Sequence, residues 1–323
     1  MSDEPGQEPG QPPAGLTWGE LVAGLVEEHG TLTAVAWKLI EHGDDVASIE
    51  RALRRVRGRG QLDGGVWGQR LLRAFGVPTS IEARLRWMGL YQSPFNDLPL
   101  ALCLDQLRLW DRPPISESRA RTWLHLGHAS CALRQQEFAV AETQLANAHA
   151  ALAGLDATYD SARIEQLLAS AYVASRRGGE VDALLDRVVL PATLTTADRA
   201  CFEARLVDQR AYQLNKRHDD PAGALAMYEA LPAVDVHPFA SYRRDAGRAW
   251  GHYRAGNLAR AIELAHCACE YAGDGGYTRL RAMGLILLTK IGGDAAYLSR
   301  ARAIATRLDD RELLARCDRA TLA

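Results

Sequence analysis

The stretch Gly247-Arg248-Ala249-Trp250-Gly251-His252-Tyr253-Arg254-Ala255-Gly256-Asn257-Leu258-Ala259-Arg260-Ala261-Ile262 reads as the end of one helix, a turn at Gly256-Asn257 and the start of a second helix. Ala249 and Ala261 stand twelve residues apart, one on each side of the turn. Small side chains at that spacing let two antiparallel helices cross closely, where a larger residue would push them apart. Working outward, the same interval recurs between Ala129 and Ala141, Ala171 and Ala183, Tyr212 and Ala224, and Gly284 and Ala296. Successive second alanines are separated by 42, 41, 37 and 35 residues. A fixed register inside each unit with variable linkers between units predicts a helical solenoid.

Four of these segments carry a family resemblance: Leu133-Arg134 through Phe138-Ala139-Val140-Ala141, Gly178 through Ala183, Pro221-Ala222-Gly223-Ala224 with Tyr228, and Gly256-Asn257-Leu258 through Ala261-Ile262 with Ala268. They resemble the tetratricopeptide repeat (TPR). The resemblance covers about Arg119 to Asp309 and implies a right-handed superhelix of five TPR-like helix hairpins, with a final helix, Arg311 to Leu322, resembling the solvating cap of such arrays. The sequence departs from the pattern at Tyr212, at Glu180 and Gly293, and at Arg187 and Arg300, so the second and fifth units are expected to pack irregularly.

In that family the first helices line a concave groove. Carried over position by position, the resemblance places Tyr172, Gln213 and Trp250 in the groove, then Lys216 and Tyr253, and then Arg134, Arg176, Arg217 and Arg254 as a ladder, with Arg243 and Arg281 nearby. Two readings of the ladder stay open. Guanidinium groups clamp carboxylates or phosphates bidentately. Basic side chains near helix ends also interact favourably with the helix dipole, without any ligand.

The remaining composition agrees with helices. Of 323 residues, 47% are apolar and 24% charged, which suits a globular chain. Runs of alternating β-branched and aromatic residues are nearly absent, so the expected class is all-α. The net charge of −2 removes overall basicity as a pointer to nucleic acid. No apolar run reaches the length of a membrane span, and residues 1–15, acidic and rich in Pro and Gly, are expected to be a disordered tail unlike a signal peptide. Six scattered cysteines in apolar helical patterns fit reduced core thiols and a cytoplasmic protein.

Residues 16–78 read as an N-terminal module of three to four helices. Thr17-Trp18-Gly19-Glu20 has capping-box spacing and opens a first helix that Gly30 stops. A second helix starts near Thr31 or Thr33 and carries Val35, Trp37, Leu39 and Ile40. A third follows Asp44-Asp45 and sets Val46, Ile49, Leu53 and Val56 on one face, closed by Val66, Leu71, Leu72 and Phe75. Residues 51–86 hold nine arginines against two acids, whereas residues 1–50 hold ten acids against one lysine. Arg51, Arg54, Arg55, Arg57 and Arg59 are therefore candidates for a nucleic-acid or acidic-partner contact, in a module only loosely like a helix-turn-helix. The place where that motif needs a small residue holds Leu39, and the bland reading of the arginines is a solvated helix face.

Residues 79–118 form a helical connecting layer, with Leu98, Leu102, Leu107 and Trp110 as its expected apolar stripe and Trp87, Tyr91, Phe95 and Trp110 more readily core than base-stacking. The repeats occupy 119–309 and the capping helix 310–323. No glycine-rich phosphate loop, nucleophile elbow or His-Glu-x-x-His pair occurs. His125 with His128, and the run His266-Cys267-Ala268-Cys269, lack further ligands at defensible spacing, so neither a metal nor a cofactor is expected. The leading expectation is a non-enzymatic scaffold or adaptor whose concave groove binds a protein or peptide, with an acidic segment. The alternative is a transcriptional regulator with an N-terminal DNA-binding module and a peptide-sensing repeat domain.

Overall fold

The computed structural model describes residues 15–41, 43–58, 64–233 and 235–321. Nearly all of the expected tail, Arg59 and the end of the last helix at Leu322 lie outside the described residues. The chain is all-helical: seventeen α-helices and no strand occur among the described residues. It divides into two compact units, one made by the described part of Met1–Leu85 with Asp105–Arg121, the other by Arg86–Leu104 with the described part of Thr122–Ala323. The chain passes between the units at 85/86, 104/105 and 121/122, so residues 79–118 are shared between the two.

In the first unit, α1 (Trp18–His29) begins at the capping box: the Thr17 hydroxyl accepts from the Glu20 N–H at 3.2 Å and the Glu20 carboxylate accepts from the Thr17 N–H at 2.8 Å. Gly30, at φ 86°, ends it in a conformation that disfavours side chains. α2 (Leu32–Lys38) is capped by Thr31, and α3 (Val46–Gly58) packs against both α1 and α2. Trp18, Leu21, Val22, Leu25, Val35, Ile49, Leu53 and Val56 form the buried centre, which α4 (Gly65–Phe75) joins through Leu71 and Leu72. A Cβ on Gly64 or Gly68 would lie 2.6 Å from the Trp18 ring, so these glycines let the start of α4 rest on the indole. Two expected core residues point outward instead: Trp37 is 63% exposed and Val66 is 72% exposed. On α2 the buried residues are Val35 and Ala36, and among the described residues no element covers the face that carries Trp37.

α5 (Thr79–Gly89) and α6 (Leu100–Trp110) follow. On α6 the buried stripe is Leu100, Cys103, Leu107 and Trp110, whereas Leu102, assigned to the stripe from sequence, is exposed. Pro94–Asp97 forms a short 3-10 turn, and the helix register starts at Leu100, not Leu98.

The second unit continues with α7 (Arg121–Arg134) and α8 (Phe138–Ala151), tied together by a 2.8 Å hydrogen bond between His125 and Gln144. Then come α9 (Asp160–Arg177) and α10 (Asp182–Leu185). They are followed by α11 (Thr196–Gln213), which runs into a π turn over Leu214–His218, and α12 (Pro221–Glu229). α13 (Pro238–Arg254), α14 (Leu258–Asp274), α15 (Thr278–Gly292), α16 (Ala295–Leu308) and α17 (Arg311–Thr321) complete the chain. Consecutive helices from α11 to α17 pack on one another.

The twelve-residue register separates into two groups. Ala129 with Ala141, and Ala249 with Ala261, are fully buried, and Ala224 is 2% exposed. Ala183 and Ala296 are exposed, in the two units whose sequences depart most from the pattern. The unit of Ala183 has no full second helix, since α10 spans four residues. Val188, Val189 and Pro191 follow it, two β-branched residues and an imino acid that oppose helix continuation. In the last unit, α16 buries Ala301 and Ala305 instead of Ala296.

These exposures set a test of the crossings. Ala261→Leu inserts methylenes at a closed contact between α13 and α14 and should cost about 1–3 kcal/mol. Ala296→Leu, on an exposed face, should stay within about 0.5 kcal/mol of wild type. Thermal denaturation of the two variants gives the comparison, and equal melting temperatures would mean that Ala261 is not at a crossing.

Candidate ligand-binding cavity

Inside the second unit lies a cavity of about 530 Å³, within the range of ligand pockets. α9 and the end of α11 supply one side of its lining, α13 and α15 another, with α7 and α17 contributing at the ends. Its apolar lining includes Leu126, Leu133, Ala169, Met283, Ile286 and Leu287. The lining also holds nine basic side chains and three acidic ones.

The deep charges are matched. Arg205 grips Glu165 bidentately, at 2.5 and 2.9 Å, and both side chains are buried. Arg243 donates to Asp208 at 2.6 Å and to the Tyr91 hydroxyl at 3.2 Å. Arg279 donates to Asp310 at 2.6 Å and to Glu312 at 3.3 Å. Glu312 also accepts from the Tyr172 hydroxyl at 2.7 Å and from Arg316 Nε at 2.9 Å. Burial alone would raise the Glu312 carboxyl, but Arg316, Arg279 and the Tyr172 hydroxyl outweigh it and hold the group at about 2. The Tyr172 phenol is driven the other way, to about 12, by burial and by the Glu312 charge. Tyr91 lies at the centre of the floor, with the guanidinium carbons of Arg205, Arg243 and Arg279 at 4.7, 5.7 and 5.8 Å from its ring centroid.

The rim differs. Arg176 lies over the rings of Tyr172 and Tyr212, at 4.9 and 5.6 Å, and reaches Glu312 only at 3.9 Å. The Lys216 ammonium stands 5.6 Å from the Tyr212 centroid and donates to the Ser175 carbonyl at 3.4 Å. Arg254 pairs with the exposed Asp219 at 3.0 Å. Lys290 completes the rim; burial, and to a lesser degree the neighbouring Arg316 and Arg319, lower its pKa. Among the described residues no carboxylate lies within ion-pair distance of Lys216 or Lys290. The π turn at the end of α11 carries Asn215 and Lys216 into the lining, an irregularity of the kind that recurs at functional sites.

Of the groove residues expected from sequence, the cavity brings together Arg134, Tyr172, Arg176, Gln213, Lys216, Arg243, Trp250 and Arg254. The arginine ladder divides. Arg134 is 1% exposed and braces the fold through the carbonyls of Leu98 and Leu308, at 3.0 and 2.7 Å. Arg217 turns to the Gly179 carbonyl at 3.0 Å, away from the cavity. Tyr253 is partly exposed against Trp250, their ring centroids 5.4 Å apart, and Arg281 lines a separate, shallow outer hollow with His266 and Arg300. Sequence reasoning missed Tyr91, Glu165, Arg205, Asp208, Tyr212, Arg279, Lys290, Glu312 and Arg316. The last two revise the role of the final helix: α17 is more than a solvating cap, because Glu312 and Arg316 face the cavity and Leu313 and Cys317 enter the core.

In the first unit, Arg51, Arg54, Arg55 and Arg57 all lie exposed on α3. Arg54 pairs with Glu50 at 2.6 Å and Arg51 donates to Ser48 at 2.9 Å, so part of the face is occupied within its own helix. Among the described residues there is no group of three or more His, Cys, Asp or Glu side chains placed to hold a metal ion, and no helix long and apolar enough to cross a membrane. All six cysteines are free thiols.

Outside the lining, Asp97 accepts the Arg279 backbone N–H at 2.6 Å, and burial pushes its carboxyl up to about 6 despite that bond and the Arg279 charge. A raised carboxyl favours the protonated form in the fold. Its contribution to stability is complete below the ordinary value of 3.8 and is lost as pH rises through about 6. Asp97→Asn keeps the acceptor without the charge, and should stabilise the protein at pH 7.5 by on the order of 1–3 kcal/mol. Melting curves at pH 7.5 and pH 3.5 test this: the gain should vanish at the lower pH.

Compared with family models, curated proteins and solved structures, the chain shows no match to any of them.

Proposed function

We propose that the protein is a non-enzymatic binding module whose second unit captures an acidic segment of a partner protein in the cavity. The observation that carries this reading is the split between a floor of neutralised ion pairs and a rim of Arg176, Lys216, Arg254 and Lys290, two of them without a carboxylate within reach. A neutral floor holds the shape, and an unbalanced rim attracts anions. Trp250, Tyr172 and Tyr212 supply broad faces beside the cations, the residue types that anchor bound segments.

The helix pairs are, in this reading, a degenerate array of five TPR-like hairpins. The buried crossings at Ala129 with Ala141, at Ala224, and at Ala249 with Ala261 support it. The exposed Ala183 and Ala296 mark the two units that depart most. The alternative, a DNA-binding module governed by a peptide-sensing array, draws on the exposed arginines of α3 and is ranked second because Glu50 already engages Arg54.

Equilibrium binding of two fluorescent nine-residue peptide pools, one rich in Asp and Glu and one with those positions changed to Lys, tests the leading reading. The acidic pool should bind and the basic pool should not, with affinity falling as salt rises. Lys216→Glu with Lys290→Glu should abolish binding at unchanged melting temperature, because neither ammonium pairs with a carboxylate among the described residues. Equal binding of both pools would exclude capture by charge.

A further inference from the structure

The rim of the cavity is richer in donors than one carboxylate requires. Arg176, Lys216 and Lys290 offer a guanidinium and two ammonium groups. Glu312, the acid that reaches Arg176 at 3.9 Å, is already engaged by Arg316, Arg279 and Tyr172. Arg176 and Lys216 flank the Tyr212 ring, and Lys290 lines the same cavity from α15. Gln213, 4% exposed and also in the lining, holds its Nε2 donor without an acceptor. A carboxylate brings one charge and two oxygens to this set. A phosphate monoester brings a charge of about −1.5 to −2 and three acceptor oxygens, and so matches more of the donors.

The same wall carries two orphaned acceptors. Gln209 uses its amide nitrogen on the Leu168 carbonyl and Asn215 uses its own on the Ala211 carbonyl, which leaves Gln209 Oε1 and Asn215 Oδ1 buried and unpartnered. Both residues line the cavity. A fully ionised phosphate group has no donor to offer them, whereas peptide N–H groups beside a phosphorylated side chain would satisfy them.

We propose that the partner segment is recognised through a phosphorylated side chain, seated among Arg176, Lys216, Lys290 and the Gln213 amide, with its flanking backbone held by Gln209 and Asn215. This rests on the reading of the cavity as a capture site for acidic segments and names the anion.

The test uses the full chain and four fluorescent nine-residue pools with degenerate flanks and a fixed centre of phosphoserine, glutamate, Glu-Glu or serine. Phosphoserine should bind at least tenfold more tightly than glutamate and also more tightly than Glu-Glu, which matches its charge. Lys216→Gln with Lys290→Gln should erase that preference at unchanged melting temperature, and Gln213→Leu should reduce it. Free O-phosphoserine should compete, and AMP should compete no better than inorganic phosphate. Equal affinity for the phosphoserine and Glu-Glu pools overturns the phosphate assignment and leaves capture of acidic segments standing. AMP binding more tightly than any pool overturns a peptide carrier. Failure of every pool to bind overturns both readings together.

Discussion

Glu312→Gln should lower the melting temperature by roughly 10 °C and, per folded molecule, strengthen the binding of acidic peptides several-fold. The two effects share one cause. Glu312 accepts from Tyr172, Arg279 and Arg316 in a site that is 9% exposed. Removing its charge leaves Arg316 without its main partner and Arg279 with Asp310 alone. Breaking a buried ion pair by losing one partner costs about 3–5 kcal/mol, and a unit of this size loses about 2–4 °C per kcal/mol. The cavity meanwhile sheds one of its three acids, so its potential becomes more positive. The pH dependence follows from the depressed carboxyl. Glu312 contributes stability above its ordinary value of 4.5, and that contribution is lost as pH falls toward about 2. Wild type and Glu312→Gln should therefore converge in stability in strong acid. Melting curves from pH 7 to pH 2.5, with anisotropy measured at pH 7, follow both effects. A variant as stable as wild type at pH 7 would show that the cluster does not hold α17 in place.

The second large effect is expected at the bidentate pair. Glu165→Ala leaves the buried Arg205 with Gln92 Oε1, at 3.2 Å, as its remaining hydrogen-bond acceptor, and should cost about 3–5 kcal/mol. Replacing both partners by apolar residues of similar volume, Arg205→Met with Glu165→Leu, should recover most of the loss, because no buried charge is then unpaired. Recovery should stop short of wild type. The Tyr91 N–H, which donates to Glu165 at 3.2 Å, would be left without its acceptor, at a cost of about 1–3 kcal/mol. A double variant no better than Glu165→Ala would mean that packing around Tyr91, and not charge pairing, sets the stability of the floor.

These residues also show what the sequence could and could not reveal. The helical class, the capping box at Thr17 and the crossings at Ala141, Ala224 and Ala261 are local: each is decided by side chains within a turn or a hairpin, and periodicity reports it. Trp37 and Val66 failed because periodicity identifies an apolar side chain on a helix and cannot tell whether another element arrives to cover it. The positions that the resemblance assigns to the groove include Arg176, Lys216 and Arg254, which do line the cavity. The floor escaped notice because its partners are far apart in the chain. Arg279 meets Asp310 and Glu312, Tyr172 meets Glu312, and Arg205 meets Glu165, at separations from 31 to 140 residues. Tyr91 precedes α7 altogether, and the resemblance to a cap places α17 in solvent. No spacing rule connects such positions. Only the folded unit brings them to one cavity.

Hydrogen–deuterium exchange of the full chain, with and without the acidic peptide pool, locates the occupied surface directly. Protection is expected in the segments that carry the rim, 172–177, 212–218 and 286–290, and in 312–316, with little change over the outward faces of α14 and α16. Protection confined to those outer faces or to α3, with the rim segments exchanging as in the free protein, would contradict the assignment of the cavity as the binding site.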